Sequence, residues 1–264
     1  MRYLKGHGTG NDFVVLPDPD NVPLTPSLVR ALCDRRFGIG ADGVLRVVRD
    51  GALWFMDYRN ADGSIAEMCG NGIRLYARYL VDAGLAEPGS LEVATRDGVK
   101  QVSLDRFGDV TVQMGQAKVD GAATAGLGDR SCQGILVDIG NPHLVCVVDG
   151  PVTDFDLTAA PIVDSALFPD GVNVEVVTGV GERHLQMRAF ERGVGETRSC
   201  GTGACAAVAA ASRQTGEADG EWIVDVPGGR LVVTLEGDRV QLTGPAVVVA
   251  SGVIDEGWLS SIGR

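Results

Sequence analysis

Basic and aromatic residues are scarce in this 264-residue chain. It holds 23 lysines and arginines against 35 aspartates and glutamates, which gives a net charge of −12, and aromatic residues make up only 5% of it. An excess of negative charge disfavours nucleic acid and anionic membranes as partners. We therefore expect neither a nucleic-acid-binding protein nor a membrane-bound one.

Long apolar runs are also missing. No stretch approaches the roughly 20 consecutive apolar residues that a membrane-spanning helix needs. The N-terminal residues MRYLKG contain no apolar core of a secretion signal. The sequence therefore predicts a soluble, cytoplasmic protein, in which the six cysteines are expected as reduced thiols rather than as a disulfide framework.

Cysteine patterns that bind metals are absent as well. The sequence has no CxxC and no cluster of cysteine and histidine. Cys200 and Cys205 stand five positions apart, on different faces of a helix. We expect no metal site and no zinc-binding module.

A repeated cysteine motif is the most informative feature that is present. MCGNG at 68–72 and SCGTG at 199–203 place Cys69 and Cys200 131 residues apart, and each motif precedes a run that predicts a helix, 73–83 and 204–214. A thiol at a helix N-terminus is stabilised as a thiolate by exposed N–H groups and the helix dipole. Two such thiols suit a reaction that needs an acid or base on each side of a substrate. The other four lack a repeated motif and are interpreted as packing residues: Cys33, Cys132, Cys146 and Cys205.

The repetition extends beyond the two cysteines. GND at 10–12 recurs as GNP at 140–142, and DGV at 42–44 recurs at 170–172. Asn60 stands nine residues before Cys69, and Glu191 stands nine before Cys200. These echoes predict two similar domains from a duplication: residues 1–118, to which a C-terminal tail 253–264 returns, and residues 119–252.

The patterns between these motifs favour strands over helices. Short β-branched and aromatic runs between turn residues predict strands in both halves. Helices are predicted at 26–36, after each of the two cysteines, and at 154–159. The run 204–211 is apolar nearly all round, which is typical of a buried helix. We therefore expect a fold of the mixed α/β (α+β) class, in which a mainly antiparallel, barrel-like sheet surrounds a central helix in each half.

Five motifs in order resemble the diaminopimelate epimerase family: GHGTGNDF at 6–13, NADGS and MCGNG at 60–72, GNPH at 140–143, GVN at 171–173, and ERGVGET and SCGTG at 191–203. They span nearly the whole chain. The resemblance implies two mirrored domains with the active site in the cleft between them. It also implies a homodimer that interconverts LL- and meso-2,6-diaminoheptanedioate, on the route to lysine and peptidoglycan, without a cofactor.

The two cysteines fit this chemistry. Epimerisation removes a proton from one face of Cα and returns one to the other face, which a thiolate and a thiol can do together. The unperturbed pKa of cysteine is near 8.5, so neither thiol ionises much at neutral pH without help. We expect the N–H groups of the glycine turns to lower the pKa values of Cys69 and Cys200 and to bind the substrate's α-carboxylate.

The resemblance assigns roles to further residues. It implies that Arg192 binds the distal carboxylate together with Asn60 and Asn173, and that His143 and Glu191 tune the pKa values of the thiols. Glu191 also counts among the substrate-binding candidates, and the rest are amide side chains and turn residues: Asn11, Gly70, Asn71, Asn141, Gly201 and Thr202. Gly43 departs from the pattern, because many relatives carry a glutamine there that touches the substrate.

Two other functions remain open. A cofactor-independent racemase of the same fold, acting on proline or hydroxyproline, also pairs two cysteines. Such a small cyclic substrate needs no distal carboxylate site, so Arg192, Asn60 and Asn173 favour the dicarboxylic diamine. A thiol redox protein would form and break a disulfide in turnover, and would lose its activity in excess reductant.

Overall fold

The computed structural model describes residues 1–17, 23–217 and 219–262, and strands dominate it. The strands are β1 (Arg2–Gly8), β2 (Asn11–Leu16), β3 (Gly43–Asp50), β4 (Leu53–Asn60), β5 (Gly89–Thr95), β6 (Gly98–Leu104), β7 (Val110–Gln116), β8 (Lys118–Leu127), β9 (Arg130–Asp138), β10 (Pro142–Val147), β11 (Asn173–Gly181), β12 (His184–Glu191), β13 (Gly195–Thr197), β14 (Gly220–Val226), β15 (Gly229–Glu236), β16 (Arg239–Gly244) and β17 (Val247–Val253). The helices are α1 (Pro26–Cys33), α2 (Gly70–Asp82), α3 (Gly201–Thr215) and α4 (Glu256–Ser261). Among the described residues, no helix has the length and apolar character needed to cross a membrane.

Packing divides the chain into two compact units. Unit 1 comprises Met1–Val112 and Pro245–Arg264, and unit 2 comprises Gln113–Gly244. The domain boundaries after residues 118 and 252, which were inferred from the repeated motifs, stay a prediction. The last two residues of the expected tail 253–264 lie outside the described residues.

Strands of unit 1 alternate between parallel and antiparallel neighbours. β1 pairs antiparallel with β2 and with β17. β2 then runs parallel to β3, β3 antiparallel to β4, β4 parallel to β5, and β5 antiparallel to β6. A parallel neighbour requires a crossover, and α2 provides it between β4 and β5. This crossover brings the start of α2 to the end of β4.

Unit 2 repeats the same order of strand relations. β10 runs parallel to β11, β11 antiparallel to β12, β12 parallel to β14, and β14 antiparallel to β15. The crossover between β12 and β14 contains α3. In each unit, therefore, the helix that follows the key cysteine occupies the same place in the strand order.

The two crossover helices are almost completely buried. Every residue of α2 from Gly70 to Val81 is buried, including two arginines. In α3, alanines line most of the buried surface, as the apolar sequence predicted. A helix buried on all sides is consistent with its position inside a curved sheet. The mixed α+β class, dominated by strands, is confirmed.

The structure corrects the predicted helix at 154–159. Only a short 3₁₀ turn forms nearby, at Val152–Asp154. The carboxylate of Asp156 accepts hydrogen bonds from the N–H (2.8 Å) and the hydroxyl (2.6 Å) of Thr158. Such a local side-chain bond competes with the helical backbone pattern, so the segment folds as a turn instead.

The predicted helix at 26–36 is shorter than expected. It ends at Cys33, because Asp34 leaves the helical conformation and its Oδ1 accepts the N–H groups of Arg36 (2.8 Å) and Phe37 (2.7 Å). The helices predicted at 73–83 and 204–214 instead begin three residues earlier. The glycines of each turn therefore belong to the first helical turn rather than to a preceding loop.

A buried ion cluster stabilises the sheet of unit 1. The carboxylate of Asp57, in β4, lies 2.9 Å from Arg46, 2.9 Å from Arg59 and 2.5 Å from Arg96. Burial by itself raises the pKa of Asp57, but the hydrogen bonds and charges of Arg59 and Arg96 outweigh it and lower that pKa. The cluster holds one carboxylate ionised within the sheet.

Candidate active site

Cys69 caps the N-terminus of α2. Its backbone is extended (φ −143°, ψ 122°), and its Sγ accepts the N–H of Gly72 at 3.4 Å. The cysteine thus takes the place that serine or aspartate usually takes at a helix start. Its sulfur lies at the positive end of the helix dipole, where a thiolate is favoured.

Asn11 and Asn71 lie beside this thiol. The thiol of Cys69 donates to Asn11 Oδ1 at 3.6 Å, and Asn71 Nδ2 donates to the same oxygen at 3.2 Å. Asn11 Nδ2 in turn donates to the carboxylate of Asp42 at 2.8 Å. Because a carboxylate can only accept, Asp42 fixes which end of the Asn11 amide faces the sulfur.

Arg74 is a fully buried residue that the sequence analysis missed. Its guanidinium donates to Asn71 Oδ1 (3.1 Å), Thr9 Oγ1 (3.2 Å), the carbonyl of Gly70 (3.0 Å) and the carbonyl of Pro245 (3.4 Å). Since a guanidinium can only donate, it fixes the orientation of the Asn71 amide. The signal in the sequence was a charged residue within the run 73–77, which otherwise carries no charge.

Asn60 lies at the end of β4, opposite Gly43 of β3. Its side chain donates to Ser64 Oγ at 3.0 Å within the following turn. A Cβ on Gly43 would lie 2.6 Å from the carbonyl oxygen of Arg59 and 2.8 Å from the ring of Tyr58. Position 43 therefore has no room for a side chain in this structure.

Cys200 caps α3 in the same way. Its backbone is extended (φ −114°, ψ 114°), and its Sγ accepts the N–H of Gly203 at 3.3 Å and lies 3.6 Å from Thr202 Oγ1. The side chain is buried, with 4% of its surface exposed. Burial raises its pKa well above the usual value, and the charges of Glu191 and Glu175 raise it further. The N–H of Gly203 lowers this pKa, as expected of the turn, but this bond and the one to Thr202 do not offset burial and the two carboxylates, so the net pKa is raised rather than lowered.

His143 forms a buried chain with two side chains of unit 2. Its Nδ1 lies 2.7 Å from Glu175 Oε1, and its Nε2 lies 3.0 Å from Asn141 Oδ1. His143 and Glu175 are both buried, at 1% and 0% exposure. Glu175 was not singled out from the sequence, although it is the one charge in the apolar run 174–177.

The remaining predicted residues of unit 2 lie around the ends of β11 and β12. The backbone N–H of Arg192 donates to Asn173 Oδ1 at 2.9 Å, while its guanidinium is exposed and donates to the carbonyl of Asp170 at 3.3 Å. Thr197 Oγ1 donates to Glu191 Oε1 at 2.5 Å. Asn173 also stands in register with His143 on β10. Unit 2 therefore brings His143 and Asn173 together on neighbouring strands β10 and β11, with Asn141 directly before β10.

Comparison with known proteins decides the family. The sequence matches diaminopimelate epimerase over residues 3–119 and 135–249. It is 52% identical to a diaminopimelate epimerase of Thermobifida fusca (strain YX), with 96% of this chain and 97% of that one covered, and 49% identical to one of Rhodococcus jostii (strain RHA1), with 99% and 100% covered. The chain belongs to the diaminopimelate epimerase family. The expected family and enzyme class, an amino-acid epimerase, are thereby confirmed.

Solved structures share the fold at low sequence identity. A PhzF-family phenazine biosynthesis protein of Bacillus anthracis has a TM-score of 0.73 at 15% identity, with 97% of this chain and 99% of that one covered. A hydroxyproline epimerase of Agrobacterium vitis has a TM-score of 0.70 at 14% identity, with 100% and 98% covered. The diaminopimelate epimerase family thus shares its two-domain architecture with proteins of other functions.

The other four cysteines of this family member lie outside the two turns that begin with Cys69 and Cys200. Burial raises the pKa of Cys33 to about 12, which makes it an inert packing residue, as predicted. Cys205 is buried within α3. The prediction for the other two is wrong: Cys132 and Cys146 form a disulfide, because adjacent strands β9 and β10 bring their Cα atoms to 6.0 Å.

Proposed function

We propose that this protein interconverts LL- and meso-2,6-diaminoheptanedioate, with Cys69 and Cys200 as its two acid–base groups. The observation that supports this most directly is the matched geometry of the two cysteines. Each caps a buried helix, and each sulfur accepts the N–H three residues further along. Only two of the six cysteines have this arrangement among the described residues.

The reaction needs no oxidant and no cofactor. A thiolate takes the proton from one face of Cα, so the C–H bond breaks and its electron pair remains on the substrate, delocalised toward the α-carboxylate. The thiol on the other side gives its proton to Cα, so the S–H bond breaks and a new C–H bond forms. One thiolate and one thiol exchange roles in each turnover. The N–H groups at a helix start stabilise the negative charge that develops on the carboxylate.

The other predicted residues are proposed to bind the substrate. Backbone groups of the two turns bind the α-carboxylate, and the exposed guanidinium of Arg192 binds the distal carboxylate. His143 and Glu191 adjust the protonation of the thiols. The remaining binding residues are those of the turns and the amide side chains: Asn11, Asn60, Gly70, Asn71, Asn141, Asn173, Gly201 and Thr202.

Exchange of the α-proton with solvent tests the two-thiol mechanism. In D₂O, the wild-type protein should replace the Cα proton of LL-2,6-diaminoheptanedioate with deuterium as the meso isomer forms, which ¹H NMR detects. Cys69→Ala and Cys200→Ala should each abolish interconversion, and serine at either position should impair it strongly. Cys33→Ala is the matched control, because this buried cysteine caps no helix. Near-normal interconversion in either alanine variant of the two capping cysteines contradicts the mechanism.

Substrate choice separates this function from its alternatives. A racemase for proline or hydroxyproline would act on those substrates and not on the diamine, so assays of all three decide between them. Arg192→Ala should raise KM for the diaminopimelate substrate and leave the fold intact, since its guanidinium is exposed. Full activity in excess reductant excludes a disulfide-exchange function.

We also propose a homodimer that works in the cytoplasm. The dimer follows from the family resemblance, and the compartment from the need of the two proposed catalytic thiols to stay reduced. Light scattering after size-exclusion chromatography should give twice the mass of the 27.6 kDa chain. A monomeric mass with full activity would contradict the dimer.

A further inference from the structure

Glu175 is a fully buried carboxylate to which the proposed mechanism assigns no role. Its side chain is 0% exposed, and only Oε1 has a partner, Nδ1 of His143 at 2.7 Å. Within the described part of the chain, its Oε2 has no hydrogen-bond partner. A buried polar atom without a partner is costly and calls for an explanation.

The carboxylate lies beside the sulfur of Cys200. A Cβ placed on Gly203 would be 2.6 Å from Glu175 Oε1 and 3.1 Å from Cys200 Sγ, so these two atoms are at most about 6 Å apart. Gly203 is also the residue whose N–H the sulfur accepts. Glu175 thus faces the first turn of α3, where the thiol would otherwise ionise most easily.

We propose that Glu175 is a positioning residue of the second thiol site, which holds His143 with its proton on Nδ1 and favours the protonated form of Cys200. This inference rests on the proposed two-thiol function and adds a residue to it. A carboxylate only accepts, so Nδ1, the ring nitrogen that it faces, carries the hydrogen. Nε2 of this tautomer can only accept, so the Asn141 amide must present its NH₂ rather than its oxygen at the 3.0 Å contact. Buried carboxylates fix histidine tautomers in the same way in catalytic triads.

The charges around Cys200 support its role as the thiol that carries a proton. The carboxylates of Glu191, at the end of β12, and Glu175, on β11, disfavour a thiolate at Cys200. Hydrogen bonds from Thr202 and from the N–H of Gly203 stabilise a thiolate there. His143 lies on β10, next to Glu175. Burial and the two carboxylates together raise the pKa of Cys200. In unit 1 the position that corresponds to Cys205 holds Arg74 instead, whose guanidinium donates to Asn71 and Thr9.

Two variants separate charge from size. Glu175→Gln keeps the shape and removes the charge, whereas Glu175→Asp keeps the charge on a shorter side chain. Glu221→Gln is the matched control, since it removes an exposed carboxylate from β14 of the same unit. Each full-length protein is labelled with [¹³Cβ]cysteine and [¹⁵N]histidine, and Cys200→Ser and His143→Gln assign the signals. NMR then follows the titration of Cys200 and the tautomer of His143 without any substrate.

In Glu175→Gln, the midpoint of the Cys200 titration should fall by about one pH unit or more, as expected for the loss of a charge within this distance. His143 should lose its single-tautomer ¹⁵N pattern. Glu175→Asp and the control should titrate at Cys200 within about half a unit of wild type. If folded Glu175→Gln keeps either the wild-type midpoint or the wild-type tautomer pattern, the proposal is overturned. If Glu175→Gln does not fold, Glu175→Asp decides instead. A Cys200 titration midpoint that falls by about one pH unit or more in Glu175→Asp, which keeps the charge, also overturns the proposal.

Kinetics then connect the residue to the reaction. In Glu175→Gln, kcat should fall by about 100-fold while KM stays within about threefold, because a positioning residue does not touch the substrate. An unchanged kcat in this variant also overturns the proposal. If the wild-type protein itself shows no epimerase activity, the proposed function fails, while the NMR measurements still decide the role of Glu175.

Discussion

Adding one methyl group to each cysteine turn tests how different the two sites are. Gly72 and Gly203 stand three residues after Cys69 and Cys200, and each donates its N–H to the sulfur. At Gly72, an added Cβ would meet Leu45 at 3.3 Å and Cys69 and Phe13 at 3.5 Å. At Gly203, it would meet Glu175 at 2.6 Å and Cys200 at 3.1 Å. The same substitution therefore fits one turn and collides with the other.

The contacts set the size of the effect. In Gly203→Ala, Glu175 can move only by giving up its 2.7 Å bond to His143. Overpacking costs about 1–3 kcal/mol, and loss of a hydrogen bond to a charged group costs about 1.5–3 kcal/mol. Alanine gains up to about 1 kcal/mol of helix propensity at both positions. We expect Gly72→Ala to change the free energy of unfolding by less than about 1 kcal/mol, and Gly203→Ala to be less stable than Gly72→Ala by at least about 2 kcal/mol.

Urea unfolding measures this difference. Tryptophan fluorescence reports on both units, because Trp54 lies in unit 1 and Trp222 in unit 2. Gly203→Ala in a Glu175→Ala background is the control, since the shorter side chain removes the collision. Equal stability of the two single variants, or no gain in stability from Glu175→Ala in the Gly203→Ala background, would contradict the predicted collision.

Three further predictions concern residues outside the turns. Asp57→Asn should lower the free energy of unfolding by about 3–5 kcal/mol, because three arginines lose their buried partner. Since the folded-state pKa of Asp57 is lowered, the stability that it contributes is complete above about pH 4 and is lost as the pH falls. Urea titrations below that pH should therefore show a smaller loss of stability with acid in the variant than in wild type. Reduction of the Cys132–Cys146 disulfide, which closes a loop of 14 residues, should lower the free energy of unfolding by about 3 kcal/mol. A phosphine reductant should therefore lower the Tm of wild type and leave the Tm of the Cys132→Ser, Cys146→Ser double variant unchanged. Arg74→Met should lower kcat/KM by at least about tenfold, because the Asn71 amide loses its fixed orientation beside Asn11 and the thiol of Cys69. Steady-state kinetics with Arg74→Lys, which keeps the charge but offers fewer donors, should give an intermediate value. Wild-type kinetics in Arg74→Met would contradict this role.

The local features of the two sites could be predicted from the sequence. A helix start depends on a few consecutive residues, so MCGNG and SCGTG were sufficient to locate both capped helices. The motif repeats likewise identified the family, which the comparisons confirm. Predictions that depended on competition between local bonds were less successful, as the turn at Asp156 shows.

Local sequence is enough to predict which two cysteines stand at helix starts, because the bond from each sulfur to an N–H three residues away is local. What surrounds each sulfur depends on how distant segments of the chain pack together. Arg74 and Asp42 meet at the amides beside Cys69, Glu175 and His143 meet beside Cys200, and Cys132 reaches Cys146 across two strands. Burial and charge act through space, so the raised pKa of Cys200 depends on residues that strand pairing brings to it.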